Sequence, residues 1–441
     1  MHVLSKPNPD HARLVAWEVF SAVQNGESYS HILLPQRLAT SNLDTRDKSF
    51  VTELVYGALR MQGHADFVLS HVSARPLDGL DIDVLELLRL ALYQVLHMRI
   101  PAHAAVSANV ELARKVLGES KGSFVNAILR KASLKNLEEW LKLIQHELDH
   151  DAQLAIKTSH PKWIVSAYRD LLKDHDEVEK ALIANNLAAR PTLCVWPDSI
   201  TREEILREGG EATRYSPYGV IASKPPSDYE AVRSHRIGVQ DEGSQLVAHL
   251  FFESLNEPHS IMDTCAGPGG KAALLSRLSA RKKARFLANE ISPIRAELVR
   301  NVLTHGDVMI GDAREIVGKF DGILADVPCT GLGALRRRPE VRWRRQLSDI
   351  KSLMPLQIEI AQRAIENLNP GGILGYATCS PHLMETRSVI ETLLRKNDDI
   401  EEIRVPFDGD GAHSGKALQL WTHRHQTDSM FLSLLRKVDM R

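Results

Sequence analysis

"SIMDTCAGPGGKAALLSRL", residues 260–278, runs from an apolar stretch ending in an acid, through a loop of three glycines and a proline, into a helical pattern. Glycine loses more chain freedom on folding than any other residue, so a cluster of them marks a place where the backbone turns sharply or approaches something closely. Strand, glycine loop and helix in that order open a doubly wound sheet, in which ligands collect at the carboxyl ends of the strands and the helix N-terminus favours negative charge. The loop matches neither GxGxxG nor GxxxxGK[ST], because Ala272 follows Lys271. Taken alone it leaves a dinucleotide, a phosphate and other nucleosides open.

Outward from the loop, "RFLANE", "DVMIGD", "GILADV" and "GGILGYATCS" alternate with helical stretches. Together with "SIMDTCA" they predict five strands of a parallel, Rossmann-like sheet over residues 236–441. Acids stand at successive strand ends. Glu290 lies about twenty residues past the glycines, where an acid takes two ribose hydroxyls. Asp312 is placed to accept from an adenine amino group, and Asp326 ends the fourth run. Either of the first two could equally cap a helix. Such a ring of acids repels phosphates, so an adenosine ligand without phosphates fits best. S-adenosylmethionine, with its cationic sulfonium, is such a ligand.

Two of the four cysteines, Cys329 and Cys379, also fall at strand ends beside this pocket. A lone cysteine usually packs as a small apolar residue. Two in these positions suit a reaction that needs a thiolate. Carbon 5 of cytosine becomes nucleophilic when a thiolate adds to carbon 6, and a second thiol or an acid then helps remove the carbon-5 proton and expel the first. Chemistry alone allows the two roles to be exchanged.

Toward the N-terminus the texture is helical. "ARLVAWEVFSAV", "RDKSFVTELVYGALRMQGHADFVLSHV", "DIDVLELLRLALYQVLHM", "AVSANVELARKVL" and "SFVNAILRKAS" carry apolar residues at three- and four-residue spacing, with Asp81 and Ser107 at N-cap positions. Residues 1–135 are expected to form an all-α domain, the first ten of them a loose tail. Residues 136–235 are expected to be a helical connector and a small α/β module with strands at "PTLCVWP" and "GVIAS".

The whole chain has 441 residues, 43% of them apolar, and a net charge of −1. A nucleic-acid site must then be a local patch. No CxxC occurs, so neither zinc nor a disulfide framework is expected, and no metal site is assigned. No apolar run is long enough to span a bilayer, and "MHVLSKPNPD" lacks a signal-peptide core. A cytoplasmic monomer is expected.

"DTCAGPGGK", "ADVPCTG" and "YATCS", in this order and spacing, resemble the RNA 5-methylcytosine methyltransferases of the Nol1/Nop2/Sun family. The helical region, with "RDKSFVTELVYGALR" and "KGSFVNAILRKA", resembles the RNA-binding NusB domain. The fusion is similar to that of the bacterial members acting on 16S ribosomal RNA. The resemblance implies that Cys379, of the TC motif, is the nucleophile and that Cys329, of the PC motif, assists release. It implies that Cys265, Ala266, Gly267, Pro268, Gly269, Gly270, Lys271, Glu290, Asp312 and Asp326 hold the methyl donor. Gly267 stands where the family commonly has alanine, a change expected to alter little. "PHLMETR" lacks the common Glu-Glu-Asn run, and Ser429 replaces a usual glycine.

"LRRRPEVRWRR", residues 335–345, sets six arginines around one tryptophan just after the Cys329 motif. Arginine pairs with phosphate and both residue types stack on bases, so Arg336, Arg337, Arg338 and Trp343 are the candidate RNA contacts. Two other classes compete. A non-catalytic RNA-binding factor is disfavoured by the retained cysteine pair and complete loop. An adenine-directed enzyme is disfavoured because "DVPC" stands where an Asn/Asp-Pro-Pro-aromatic run would be expected.

Overall fold

A computed structural model describes residues 11–145 and 148–438; the N-terminal decapeptide lies outside them. The chain divides into two compact units. One comprises residues through Leu187 together with Leu335–Arg345, the other Ala188–Ala334 and Gln346 onward.

The first unit is all α. Its helices include His11–Gln24, Ser30–Thr40, Thr45–Arg60, Gln62–Val72, Ile82–His97, Ala102–Leu117 and Glu119–Ala132, followed by Leu137–Leu141, His150–Thr158, Lys162–Leu172 and His175–Ala184. The apolar periodicity decides which faces turn inward. Leu87, Leu88, Ala91 and Leu92 of Ile82–His97 pack with Val68, Leu69, Val110, Ala113 and Leu129. Asp81 caps its helix by accepting from the Asp83 N–H at 3.2 Å, as expected. Ser107 does not cap. Its helix begins one residue after Pro101, because "AHAA" extends the helical run back to the proline. The "RDKSF…SHV" run breaks at Met61 into two helices, the first capped by Asp44, which accepts from Asp47 N–H at 2.8 Å.

The segment Leu335–Arg345 serves this unit as a cap for helix ends. The last carbonyls of a helix lack intrahelical donors and carry partial negative charge. The Arg342 guanidinium, fully buried, donates to the carbonyls of Arg60 at 3.4 Å, Ser159 at 3.1 Å and Asn185 at 3.3 Å, and to Asn186 Oδ1 at 2.6 Å. Three of these acceptors end or directly follow the helices Thr45–Arg60, His150–Thr158 and His175–Ala184. Trp343 donates its indole N–H to the Leu59 carbonyl at 2.7 Å, and Arg344 donates to the carbonyls of Val23 and Ser28. Glu340 is buried and accepts from Ser30 N–H at 3.0 Å and Ser30 Oγ at 2.8 Å. Thus Arg342, Trp343 and Arg344 are committed to packing, whereas Arg338 is exposed and Arg336 and Arg337 are half-buried.

The second unit opens with a small antiparallel sheet of β1 (Thr192–Val195), β2 (Glu211–Ala212), β3 (Gly219–Ile221) and β4 (Ile237–Val239), ordered β2-β3-β1-β4. The large sheet holds β5 (Ser260–Asp263), β6 (Arg285–Glu290), β7 (Asp307–Ile310), β8 (Phe320–Asp326), β9 (Leu368–Thr378), β10 (Ile400–Ile403), β11 (His413–Ser414), β12 (Ala417–Gln419) and β13 (Phe431–Lys437). The five expected runs are β5 to β9, and they pair in parallel in the order β9-β8-β5-β6-β7. The sheet is mixed, because β13 joins β9 antiparallel with Phe431 opposite Thr378. Among the described residues no helix is long and apolar enough to cross a membrane.

Burial pulls the Arg342 guanidinium down to about 9, which leaves it charged near neutrality. Arg342→Ala would strand several buried acceptors and should destabilise the helical unit by about 3 kcal/mol. Chemical denaturation followed by a probe in that unit should show the shift, and ligand affinity in the α/β unit should stay unchanged.

Candidate active site

The glycine loop leaves β5 at Asp263 and enters the helix Gly270–Arg281. Backbone bonds fix its path: Ala266 N–H donates to the Asn289 carbonyl and Gly269 N–H to the Ala266 carbonyl, both at 2.8 Å. The Asn289 amide, one residue before Glu290, donates to the carbonyls of Thr264 at 2.9 Å and Gly311 at 3.1 Å. One buried side chain thus ties the ends of β5, β6 and β7 together.

Glu290 is buried at the end of β6. Its carboxylate accepts from Gly267 N–H at 3.0 Å, Ser292 N–H at 2.9 Å and the Arg295 guanidinium at 2.5 Å. A methyl group on Gly267 would collide with the Glu290 Oε2 atom, so glycine here does more than the expected neutral exchange for alanine. Asp312 accepts from the Arg314 N–H at 2.9 Å and pairs with the Arg314 side chain at 2.6 Å, which holds its carboxyl below the usual range. It caps the short turn Ala313–Glu315.

Asp326, at the end of β8, meets the Lys271 ammonium at 2.7 Å. Burial alone would lower that ammonium, but Asp326 outweighs it and holds it above the ordinary value. Asp263 was not singled out from the sequence, yet it is the most perturbed acid of the loop. Burial, and then the nearby Asp326 charge, push its carboxyl up to about 7. Its Oδ1 accepts from Cys265 N–H at 3.3 Å, while its Oδ2 and the Oε1 of Gln240 are buried without a partner. Gln240 lies against Gly270, whose added Cβ would stand 3.3 Å from the amide carbon. The signal for Asp263 was its place as the last residue of the strand that feeds the loop.

The two cysteines meet. Cys329 follows β8, Cys379 follows β9, and their sulfurs are 3.4 Å apart. Hydrogen bonding to Cys379, then burial, holds the Cys329 thiol well above its ordinary value, so Cys329 keeps its proton. Cys379 lies within electrostatic reach of the Lys271 ammonium. Gly333 closes the Cys329 loop. Its N–H donates to the Cys379 carbonyl at 2.8 Å and its carbonyl accepts from Ser429 N–H at 2.9 Å. An added Cβ there would run into the Ser429 carbonyl, so only glycine fits. Ser429, noted for replacing a glycine, is therefore bound to this loop through its backbone. Burial pushes the Cys265 thiol up to about 12 and raises Cys194 further, which disfavours the thiolate at both; Cys194 is fully buried, whereas Cys265 keeps some exposure. Among the described residues no group of His, Cys, Asp or Glu is arranged to hold a metal.

A parallel α/β sheet with a glycine loop after its first strand, acids at four neighbouring strand ends and two apposed thiols belongs to the S-adenosylmethionine-dependent methyltransferase class. Residues 251–436 match the family described as 16S rRNA methyltransferase RsmB/F, and residues 10–134 match the NusB family. The chain is 39% identical to "Putative methyltransferase MT1451" of Mycobacterium tuberculosis (strain CDC 1551 / Oshkosh), with 97% of each chain covered. It is 31% identical to "Ribosomal RNA small subunit methyltransferase B" of Pseudomonas syringae pv. tomato (strain ATCC BAA-871 / DC3000), covering 89% of this chain and 88% of the relative. The crystal structure of PH0851 shares the fold, with a TM-score of 0.80 at 22% identity over 98% of this chain and 100% of that one. The protein belongs to the RsmB/F family of 16S rRNA methyltransferases and carries a NusB-family domain at its N-terminal end.

The thiol environments make one outcome measurable. In the native protein near neutral pH, iodoacetamide should leave the fully buried Cys194 unmodified and react only slowly with the part-exposed Cys265, while denaturation exposes both. Peptide mass spectrometry would check this, and rapid native labelling of Cys194 would contradict its burial.

Proposed function

We propose that the protein transfers a methyl group from S-adenosylmethionine to carbon 5 of a cytosine in 16S ribosomal RNA, with Cys379 as nucleophile and Cys329 assisting release. The observation that carries this reading is the 3.4 Å apposition of two thiols at adjacent strand ends, one of which keeps its proton. The family description and the name of the Pseudomonas relative support ribosomal RNA as substrate.

The donor supplies the methyl group when bound. The backbone of Cys265–Lys271 would cradle it, Glu290 would take the ribose hydroxyls, Asp312 the adenine amino group, and Asp326 would line the same pocket. The partnerless acceptors Asp263 Oδ2 and Gln240 Oε1 suit the donor's ammonium. The thiolate of Cys379, favoured by the Lys271 charge, adds to carbon 6. One sulfur–carbon bond forms, and the ring electrons make carbon 5 the nucleophile. After the methyl group is bonded, the carbon-5 proton must leave and the sulfur–carbon bond must break. Cys329 is ready at that stage and not before. Its proton is held first of all by the Cys379 sulfur, and once that sulfur is bonded to carbon 6 the largest cause of the raised thiol value is removed, while burial remains. Cys329 then ionises more readily, takes the carbon-5 proton, and the departing electrons restore the ring and expel Cys379.

Three outcomes test this reading. Cys379→Ala should abolish tritium release from RNA labelled at carbon 5 of cytosine and form no adduct. Cys329→Ala should accumulate a methylated protein–RNA complex that survives denaturing electrophoresis, and the double variant should form none. The reverse pattern would exchange the two roles.

The second outcome concerns pH. Asp263, at about 7 in the free protein, must be ionised to accept from the ammonium. Donor affinity should therefore fall by up to about tenfold per unit as pH drops below that value, and stay flat above it. Calorimetry on Asp263→Asn should show weaker binding with that dependence removed.

The third concerns RNA. Replacing Arg336, Arg337 and Arg338 together by glutamine should weaken RNA binding and flatten its salt dependence, with donor affinity unchanged. An unaltered salt slope would return these arginines to a solvated surface.

A further inference from the structure

Glu385 lies in the turn Leu383–Glu385, six residues beyond Cys379, and its side chain is fully buried. A carboxylate is tolerated away from water only where donors meet its oxygens. Four do so here. Oε1 accepts from Thr330 N–H at 2.8 Å and from Gln357 Nε2 at 3.1 Å. Oε2 accepts from Ser380 Oγ at 2.6 Å and from Thr330 Oγ1. Gln357 also donates to the Pro328 carbonyl at 2.9 Å, and the Tyr376 hydroxyl donates to the Glu385 carbonyl at 2.8 Å.

The pattern follows the cysteines. Pro328 and Thr330 flank Cys329, and Ser380 adjoins Cys379. Every one of these neighbours is held by Glu385 or by Gln357, which itself bonds Glu385. Pairing of β8 with β9 brings the strand ends together only to within ordinary strand spacing. The sulfurs stand closer than that, at 3.4 Å, and one carboxylate ties together the two loops that carry them.

We propose that Glu385 is the positioning residue that sets the separation of the two thiols, and through it the release step assigned to Cys329. The second half rests on the function proposed above. Glu385 acts through Thr330, Ser380 and Gln357. A glutamine of the same size can keep all four contacts, its oxygen facing Thr330 N–H and Gln357 and its amide nitrogen donating to the Thr330 and Ser380 hydroxyls, so it loses only the charge, whereas alanine removes the tie between the loops.

Sulfur placement can be read without methylation. Hydrogen peroxide closes a Cys329–Cys379 disulfide by taking two protons and two electrons from the thiols: two S–H bonds break, one S–S bond forms, and peroxide becomes two waters. Peroxide first converts one thiolate to a sulfenic acid, which the second thiol then displaces with loss of water; the rate of that second step, measured against capture of the sulfenic acid by dimedone, is the closure rate, and it reports how often the sulfurs come within bonding distance. Glu385→Ala and Ser380→Ala should each slow closure, the former by about tenfold or more, since misplacement of this size costs that much in effective concentration, and Glu385→Gln should restore most of the lost rate. Donor affinity should stay within about twofold of the native protein in all three, which shows that the unit remains folded. With donor and RNA, Glu385→Ala should accumulate the denaturation-resistant complex expected of Cys329→Ala.

Unchanged disulfide closure in a donor-binding Glu385→Ala protein would overturn the proposal, whatever happens to methylation. If closure slows and Cys329→Ala accumulates the complex while Glu385→Ala does not, Glu385 does not act on release. If Cys329→Ala itself accumulates nothing, the assignment of Cys329 fails, and the closure rates still decide whether Glu385 sets the thiol separation.

Discussion

The parallel register of β8 and β9 is the constraint from which the rest of the site follows. Asp326 stands opposite Ala377, and Val327 N–H continues the ladder to the Ala377 carbonyl at 3.1 Å. Neighbouring strands are about 4.8 Å apart, so chains leaving a shared edge begin close together. Cys329 is three residues past Asp326 and Cys379 two past Ala377. A one-residue slip would turn the side chains of one strand to the opposite face and separate the sulfurs. Gly333, Ser429, Gln357 and Glu385 all serve to keep what the register begins.

The same edge gathers negative charge, and the protein treats each acid differently. Glu290 is surrounded by donors and a guanidinium, Asp326 shares an ammonium, and Asp312 pairs with Arg314. Asp263 alone is left with an open oxygen in a buried place, which is why its carboxyl rises to neutrality. Burial makes an unpaired charge costly, and the cost is lowest when a cationic ligand arrives to share it. A ring of acids in which only one remains unsatisfied discriminates between ligands by where the positive charge sits.

Much of this was legible in the chain. Continuous apolar runs bounded by turn residues identify the five parallel strands, since the inner strands, buried on both faces, show no alternation, while β7 at the sheet edge is part-exposed. The acids and cysteines at their ends follow directly. Other features depend on what lies across space. Asp312 reads the same as a ligand contact or a helix cap, and its bond to Arg314 is set by the turn it caps. Ser107 looks like a cap but sits inside a helix, because the residues before it are equally good helix formers. Gly267 reads as exchangeable for alanine in the sequence, and only the fold shows the Glu290 carboxylate against it. Glu385, in a stretch marked only for departing from a pattern, shows its role through four donors from three elements. The arginines after Cys329 have one composition whether they face solvent or the ends of helices, and only tertiary structure separates Arg342 from Arg338.

The capping segment has a consequence for the order of synthesis. A ribosome completes the helices through Leu187 long before it reaches Arg342. At about 5–20 residues per second, the intervening stretch of roughly 150 residues takes on the order of ten to thirty seconds. Throughout that interval the carbonyl ends of several helices have no guanidinium to receive them. The N-terminal unit therefore cannot reach its final form vectorially, as a contiguous N-terminal domain would. It waits for a strand-connecting loop of the following unit to be made, and its helix ends are received only once Arg342 has been synthesised.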